Sequence, residues 1–170
     1  MIRLTYTAIA LMCLAMIDAA PVSAAEPPHA ATLHIDVPVA LKASKVVFNM
    51  DHPTFAGDQS IGLMYMKLML QNYKANQTAL ELVAVYHGMA GYILLSDIAY
   101  NKVRKTETGN PYKEQISALQ QAGVRFEECG QTARSNGWVN TDLLPGVLVD
   151  AGANLRLVQL VQEGYIQLQP

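Results

Sequence analysis

The chain has 170 residues, 12 Lys and Arg against 14 Asp and Glu, a formal net charge of −2, and two cysteines. That length allows one ordinary domain and hardly two. A 51% hydrophobic and 15% charged composition excludes a disordered chain, the charge excludes a basic nucleic-acid binder, and two cysteines exclude a disulfide scaffold or a multi-cysteine zinc site.

The chain begins with an address. Arg3 gives a short positive start, and Ala8 to Ile17 (AIALMCLAMI) is apolar. About ten such residues fall short of the roughly 20 that a spanning helix needs. Val22-Ser23-Ala24, or Ser23-Ala24-Ala25, offers the small residues a signal peptidase cuts after. Residues 1–25 are therefore expected to be a secretory signal peptide, the mature protein periplasmic, with no stable membrane span after processing. Ala10-Leu11-Met12 before Cys13 lacks the small residue of a lipidation site, and there is no twin arginine. Cleavage removes Arg3 and Asp18, so the charge stays at −2, and about 145 residues remain to build one core. It also removes Cys13 and leaves Cys129 alone. A single cysteine in an oxidising compartment is buried, paired between chains, or kept reactive.

Residues 26–40 read as an N-terminal tether, and residues 41–170 as the folded domain. Lys45 to Met50 (KVVFNM) is a β-branched apolar run, a buried strand. Gly57, Asp58 and Ser60 open a helix through about Tyr73. Leu80 to Tyr86 (LELVAVY) is a second strand ended by His87-Gly88, and Gly91 to Lys105 a second helix. Asn110-Pro111 supplies an N-cap and a first-turn proline for a third helix, which Gly123 closes in the left-handed position. Val124 to Glu128 (VRFEE) is a third strand ending at Cys129-Gly130. Gln131 to Asn136 makes one or two helical turns, and Val147 to Asp150 a fourth strand. Asn154 caps a last helix stopped by Gly164, and Tyr165 to Gln169 is a final strand with one wet face. Strands alternating with helices imply an α/β fold, a mostly parallel sheet covered on both faces with right-handed crossovers.

The stretch IGLMYMKLML in the first helix is apolar nearly all round, where a surface helix should show one stripe. The surplus face predicts self-association. Met64 and Met66 lie on different helical faces, so this helix reads as packing rather than a Cu(I) thioether site.

Ligands of open parallel sheets bind beyond the carboxyl ends of the strands. Asp51-His52, His87-Gly88, Cys129-Gly130 and Asp150-Ala151-Gly152 fall there. A thiol followed by a helix start is activated by backbone N–H groups and the positive dipole end. Gly130-Gln131-Thr132 would supply that geometry. Both Glu127 and Glu128 would oppose that activation if close; alternation puts Glu127 on the face of Cys129 and Glu128 on the other, with Arg134 available to offset them. A buried structural thiol is the alternative. His87 either orients a bound group or is a hydrogen-bonded core residue. His52 before Pro53 reads as a turn residue, and His29 and His34 lie in the tether. Asp51 and Asp150 would act together only if close, and otherwise serve as caps or turn formers. His52, His87 and Cys129 lack the local spacing of a metal site, so no metal is expected. No cofactor is expected either. The chain has no GxxxxGK[ST], GxGxxG or GxSxG.

The stretches KVVFNMDH (45–52), LELVAVYHG (80–88), NPYKEQISALQQAGVRFEECGQTARSNG (110–137), LLPGVLVDAG (143–152) and LVQLVQEGYIQLQP (157–170) resemble, in order, the exported single-domain members of the DsrE/DsrF-like family of sulfur-relay proteins. The most specific feature is a helix, Gly-Val, then a strand ending in Cys-Gly-Gln. The resemblance implies a DsrEFH-like α/β fold of about five mostly parallel strands flanked by helices. It also implies a homotrimer or hexamer, and a cysteine at position 129 that carries sulfur as a persulfide. Two functions follow as expectations. The first is sulfur carriage or transfer by Cys129, with His87, Gly88, Gly130 and Gln131 binding the transferred group and a donor or acceptor protein as partner. The alternative is a non-catalytic oligomeric module that binds a small ligand or a protein.

Overall fold

β-branched apolar runs build the sheet. The computed structural model describes residues 33–170. Residues 33–38 belong to an N-terminal unit and carry no helix or strand, while every element below lies in the unit Val39–Pro170. The expected signal peptide, Cys13 and His29 fall outside the described residues.

Strands β1 (Ser44–Met50), β4 (Leu80–Tyr86), β5 (Arg125–Cys129), β6 (Leu148–Asp150) and β7 (Ile166–Leu168) form one parallel sheet in the order β6-β5-β4-β1-β7. Two short strands, β2 (Phe55–Ala56) and β3 (Gln59–Ser60), make a separate antiparallel hairpin. Parallel neighbours require crossovers, which helices supply. These are α1 (Ile61–Ala75), α2 (Asp97–Arg104), α3 (Lys113–Gln121), α4 (Gly130–Asn136) and α5 (Ala153–Gln162), with 3₁₀ turns at Gly88–Leu94 and Asn140–Asp142.

Alternation along the central strands sorts side chains to two cores. Val46, Phe48, Met50, Leu82, Ala84, Tyr86, Val124 and Phe126 pack under α1, α2, α3 and the first 3₁₀ turn. Val47, Val83, Val85 and Cys129 pack under Ala153, Leu157 and Leu160 of α5, with Tyr165. Burying each large aliphatic or aromatic side chain contributes about 1.5–3 kcal/mol before the entropy of ordering it. The parallel α/β reading holds, as does the left-handed glycine after α3, where Gly123 has φ +97°.

Several boundaries moved for identifiable reasons. Gly57 and Asp58 turn the β2–β3 hairpin, so α1 starts at Ile61 behind Ser60. The second helix is broken, because Leu95 is extended and bridges Leu143. Ser96 then caps α2 by accepting the Ala99 N–H. Asn110 does not flank α3 directly, although its side-chain oxygen accepts the Tyr112 N–H at 2.9 Å in the turn before it. Its buried amide donates to Ile93 O (2.8 Å) and Leu95 O (2.6 Å), latching the break in place, and α3 begins later, behind Tyr112. Gly152, not Asn154, precedes α5. β7 is a sheet edge whose three residues are all exposed, so Ile166 and Leu168 form no dry face.

Candidate functional site

Four strand ends meet in sequence order along one edge of the sheet. β5 ends at Cys129, whose thiol turns toward α5 and accepts the Ala153 N–H at 3.3 Å. It is 5% exposed. Together with His87, Gly88, Gln131, Thr132 and Asn154 it lines an open pocket of about 490 Å³, floored by Ala151, Gly152 and Ala153. Gly88 N donates to Thr132 Oγ1 at 2.9 Å, which ties the end of β4 to α4. Gly88 must be glycine-like here, at φ +56° with the Asp51 carbonyl 3.0 Å from where a Cβ would stand. Gly130 is packed against β6 instead of lining the pocket. A Cβ there would lie 2.4 Å from the Asp150 carbonyl oxygen, so only glycine lets β5 turn into α4 at this point.

His87 is half-buried and hydrogen-bonds Asn49 Oδ1 through Nε2 at 2.7 Å. Burial lowers its pKa, against the pull of Asp51, so it is neutral at neutral pH. His52 is an exposed turn residue on Asp51. Gln169 of the C-terminal segment also donates to Asp51 Oδ1, at 3.0 Å. Asp51 and Asp150 do not pair. β5 and β4 stand between their strands, a separation of about 14 Å at the usual strand spacing. His34 is exposed beside Asp36. Among the described residues no group of three His, Cys, Asp or Glu side chains could hold a metal ion.

The two glutamates before Cys129 part as alternation requires, with opposite fates. Glu127 is buried on the Cys129 face. Arg156 of α5 grips it bidentately, with Nε–Oε2 at 2.6 Å and Nη2–Oε1 at 2.9 Å, and Arg125 Nε adds a bond at 2.8 Å. Those two arginines offset its charge, and the exposed Arg134 does not take part. Glu128 faces the other core, fully buried opposite Tyr86 in the β4–β5 register. Neither its carboxyl oxygens nor the Tyr86 hydroxyl has a hydrogen-bond partner. Desolvation pushes Glu128 up to about 9, with the neighbouring Cys129 and Asp150 adding to it, so it is a neutral acid at pH 7. A carboxylate in a run ending at the site gave no sequence signal of such burial.

The model of the DsrE/DsrF-like family matches residues 44–170, from the first residue of β1 to the C-terminus. The chain belongs to the DsrE/DsrF-like family. Its fold is similar to that of a protein of unknown function, MTH1491, from Methanobacterium thermoautotrophicum, at TM-score 0.58 and 27% identity. That likeness covers 75% of this chain and 99% of the other. The ychN protein from E. coli is a more distant likeness, at TM-score 0.46 and 18% identity over the same shares of the two chains. No curated protein matches the sequence. Within this DsrE/DsrF-like chain, Cys129, His87, Gly88 and Gln131 share one pocket, and Gly130 supports it from behind. The sequence does not single out Ala153, whose N–H bonds Cys129, and it marks Thr132 only in the turn after Cys129 and not as the acceptor of the Gly88 N–H. Their contacts depend on how α4 and α5 return over the strand ends.

Proposed function

We propose that this protein is a periplasmic sulfur carrier in which Cys129 takes a sulfane sulfur, holds it as a persulfide and passes it to an acceptor thiol. The observation that carries the reading is the placement of the Cys129 thiol. It lies at the carboxyl end of a central strand, on a pocket open to solvent, with a backbone N–H aimed at the sulfur. Family membership supports it. A thiolate attacks the outer sulfur of a persulfide donor, the donor's S–S bond breaks, and a thiol leaves. No net oxidation occurs. Gln131 and Thr132 on the pocket wall, with neutral His87, are the polar groups that orient the donor. The N-terminal secretory pattern supports export.

The low exposure of Cys129 favours a second reading, an oligomeric binding module with an inert thiol. Alkylation kinetics separate the two. Labelling of native protein within about tenfold of the unfolded rate supports the carrier, and labelling only after unfolding supports the module. Cys129→Ser must abolish sulfur loading while leaving the circular dichroism spectrum intact. Normal loading of that variant excludes the carrier.

Self-association belongs to both readings. α1 buries Leu63, Met66 and Tyr73 but exposes Tyr65 and Leu68. With Leu41, Met69 and Leu168, these line an apolar groove of about 380 Å³ beside the edge strand β7. We take this surface as the contact of a homotrimer or hexamer.

A further inference from the structure

We infer that the pocket beside Gly88, walled by Phe55, Met89, Tyr92, Arg104 and Trp138, binds the organic part of the sulfur donor, a small persulfide with a flat apolar body and a carboxylate. This rests on the carrier reading of Cys129 and names the substrate class of that site. The pocket is open and holds about 560 Å³. That lies within the range of small-molecule sites, which combine an apolar lining with a few polar groups. Its wall converges from separate elements. Phe55 comes from β2, Met89 and Tyr92 from the first 3₁₀ turn, and Arg104 from the end of α2. Asn136 ends α4, and Trp138 follows just beyond it. Met89 is 71% exposed and Phe55 37%, while Trp138 packs against the core yet is only half-buried. Apolar surface gathered in a concavity marks a place where something binds, and aromatic rings favour a flat partner.

Arg104 is the one charged residue on the wall. Its guanidinium carbon lies 4.5 Å from the centroid of the buried Tyr92 ring, a contact that holds the cation over an apolar floor. Every ion pair among the described residues uses another cation. A guanidinium keeps its donors in its own plane, so the ring contact leaves them for a ligand, and the two oxygens of a carboxylate match that fork. A single cation suits a carboxylate better than a phosphate group, which carries up to two charges.

The pocket adjoins the thiol. Gly88 lines both it and the Cys129 pocket. On α4, Thr132 lines the Cys129 side and Asn136 the aromatic side. They stand one turn apart, about 6 Å along the helix axis, and Asn136 Nδ2 donates to Thr132 O at 2.9 Å. A donor seated among the rings therefore needs only a short arm to lay its sulfur across Gly88 at Cys129. The step is Cys129–SH + R–S–SH → Cys129–S–SH + R–SH. The Cys129 sulfur gives its proton to solvent and bonds the outer sulfur of the donor. The donor's S–S bond breaks with its electron pair on the inner sulfur, which takes a proton from solvent. No net oxidation occurs.

Trp138 is the chain's single tryptophan, so its fluorescence reports on this pocket. The first probe is N-benzoyl-S-methylcysteine, which has the ring and the carboxylate but no sulfur to transfer. The inference predicts saturable quenching in wild type, with binding about tenfold weaker for the carboxamide of the probe and for Arg104→Gln. Sulfur loading is then followed by mass with N-benzoylcysteine persulfide, its carboxamide, and inorganic polysulfide, which has no organic body. Below saturation, wild type should load about tenfold faster from the acid than from the amide, and Arg104→Gln should bring that ratio to about one. Absence of saturable quenching, or equal loading of wild type from acid and amide, overturns the inference, while loading from polysulfide keeps the carrier. Quenching without loading from any donor overturns the carrier, and with it the assignment of this pocket to a donor. The comparison of acid with amide is made on wild-type protein, so it decides the matter even if Arg104→Gln does not fold.

Discussion

Replacing Glu128 by glutamine removes a proton-binding group from the core without changing its shape. The carboxyl is fully buried, lacks any hydrogen-bond partner and titrates at about 9, against 4.5 for an ordinary glutamate. An acid whose folded-state pKa is raised binds its proton more tightly in the folded than in the unfolded chain. Its stabilising contribution is therefore full below pH 4.5 and is lost as pH rises toward 9. Each pH unit in that window costs about 1.4 kcal/mol. Between pH 5 and 8, wild type should lose up to about 4 kcal/mol relative to Glu128→Gln, which stays neutral throughout. That is a large share of the 5–15 kcal/mol typical of a folded domain. Urea unfolding of both proteins at unit steps from pH 5 to pH 8 measures it. The two should be nearly equal at pH 5 and diverge steadily, with the variant more stable at pH 8. Parallel pH profiles would refute the reasoning, because they would mean that Glu128 is hydrated or paired in solution.

Three further predictions concern the ion pair, the turn and the groove. Arg156→Ala leaves buried Glu127 with only the half-exposed Arg125 and should cost about 3 kcal/mol by chemical unfolding, whereas Arg125→Ala should cost under about 1 kcal/mol. Equal costs would contradict the bidentate grip of Arg156. Gly130→Ala pushes a methyl against the Asp150 carbonyl and should cost about 1–3 kcal/mol and slow sulfur loading. A fully stable, fully active variant would show that β6 yields freely. Tyr65→Glu with Leu68→Glu should lower the sedimenting mass toward one subunit while leaving the fold intact. An unchanged mass would place the subunit contact elsewhere.

What the sequence shows best is what local periodicity controls. Val46 to Phe48 and Leu82 to Val85 are apolar runs with turns at their ends, so the buried parallel strands were legible, and with them the row of strand-end residues. The split of Glu127 and Glu128 to opposite faces also follows from a period of two. Other features depend on contacts distant in the chain. The break at Leu95 comes from Leu143 and Asn110, and nothing near residue 95 signals it. Arg156 is 29 residues from its partner Glu127, so Arg134 was the nearer but wrong candidate. Asp51 and Asp150 looked equivalent as strand-end carboxylates. Strand order separates them and sets Asp150 beside Cys129. β7 carried an alternating pattern, yet all three of its residues are exposed at the sheet edge.

The central claim is that Cys129 carries sulfur. Intact-mass spectrometry of the mature protein before a sulfane-sulfur donor, after it, and after a thiol reductant tests that directly. The carrier reading predicts a gain of about 32 Da, one sulfur atom, on a single site, removed by the reductant and absent in Cys129→Ser. A gain that survives reduction would indicate sulfinic acid instead. No gain, with Cys129 unlabelled until the protein unfolds, would contradict the account and leave a structural thiol in an oligomeric binding module.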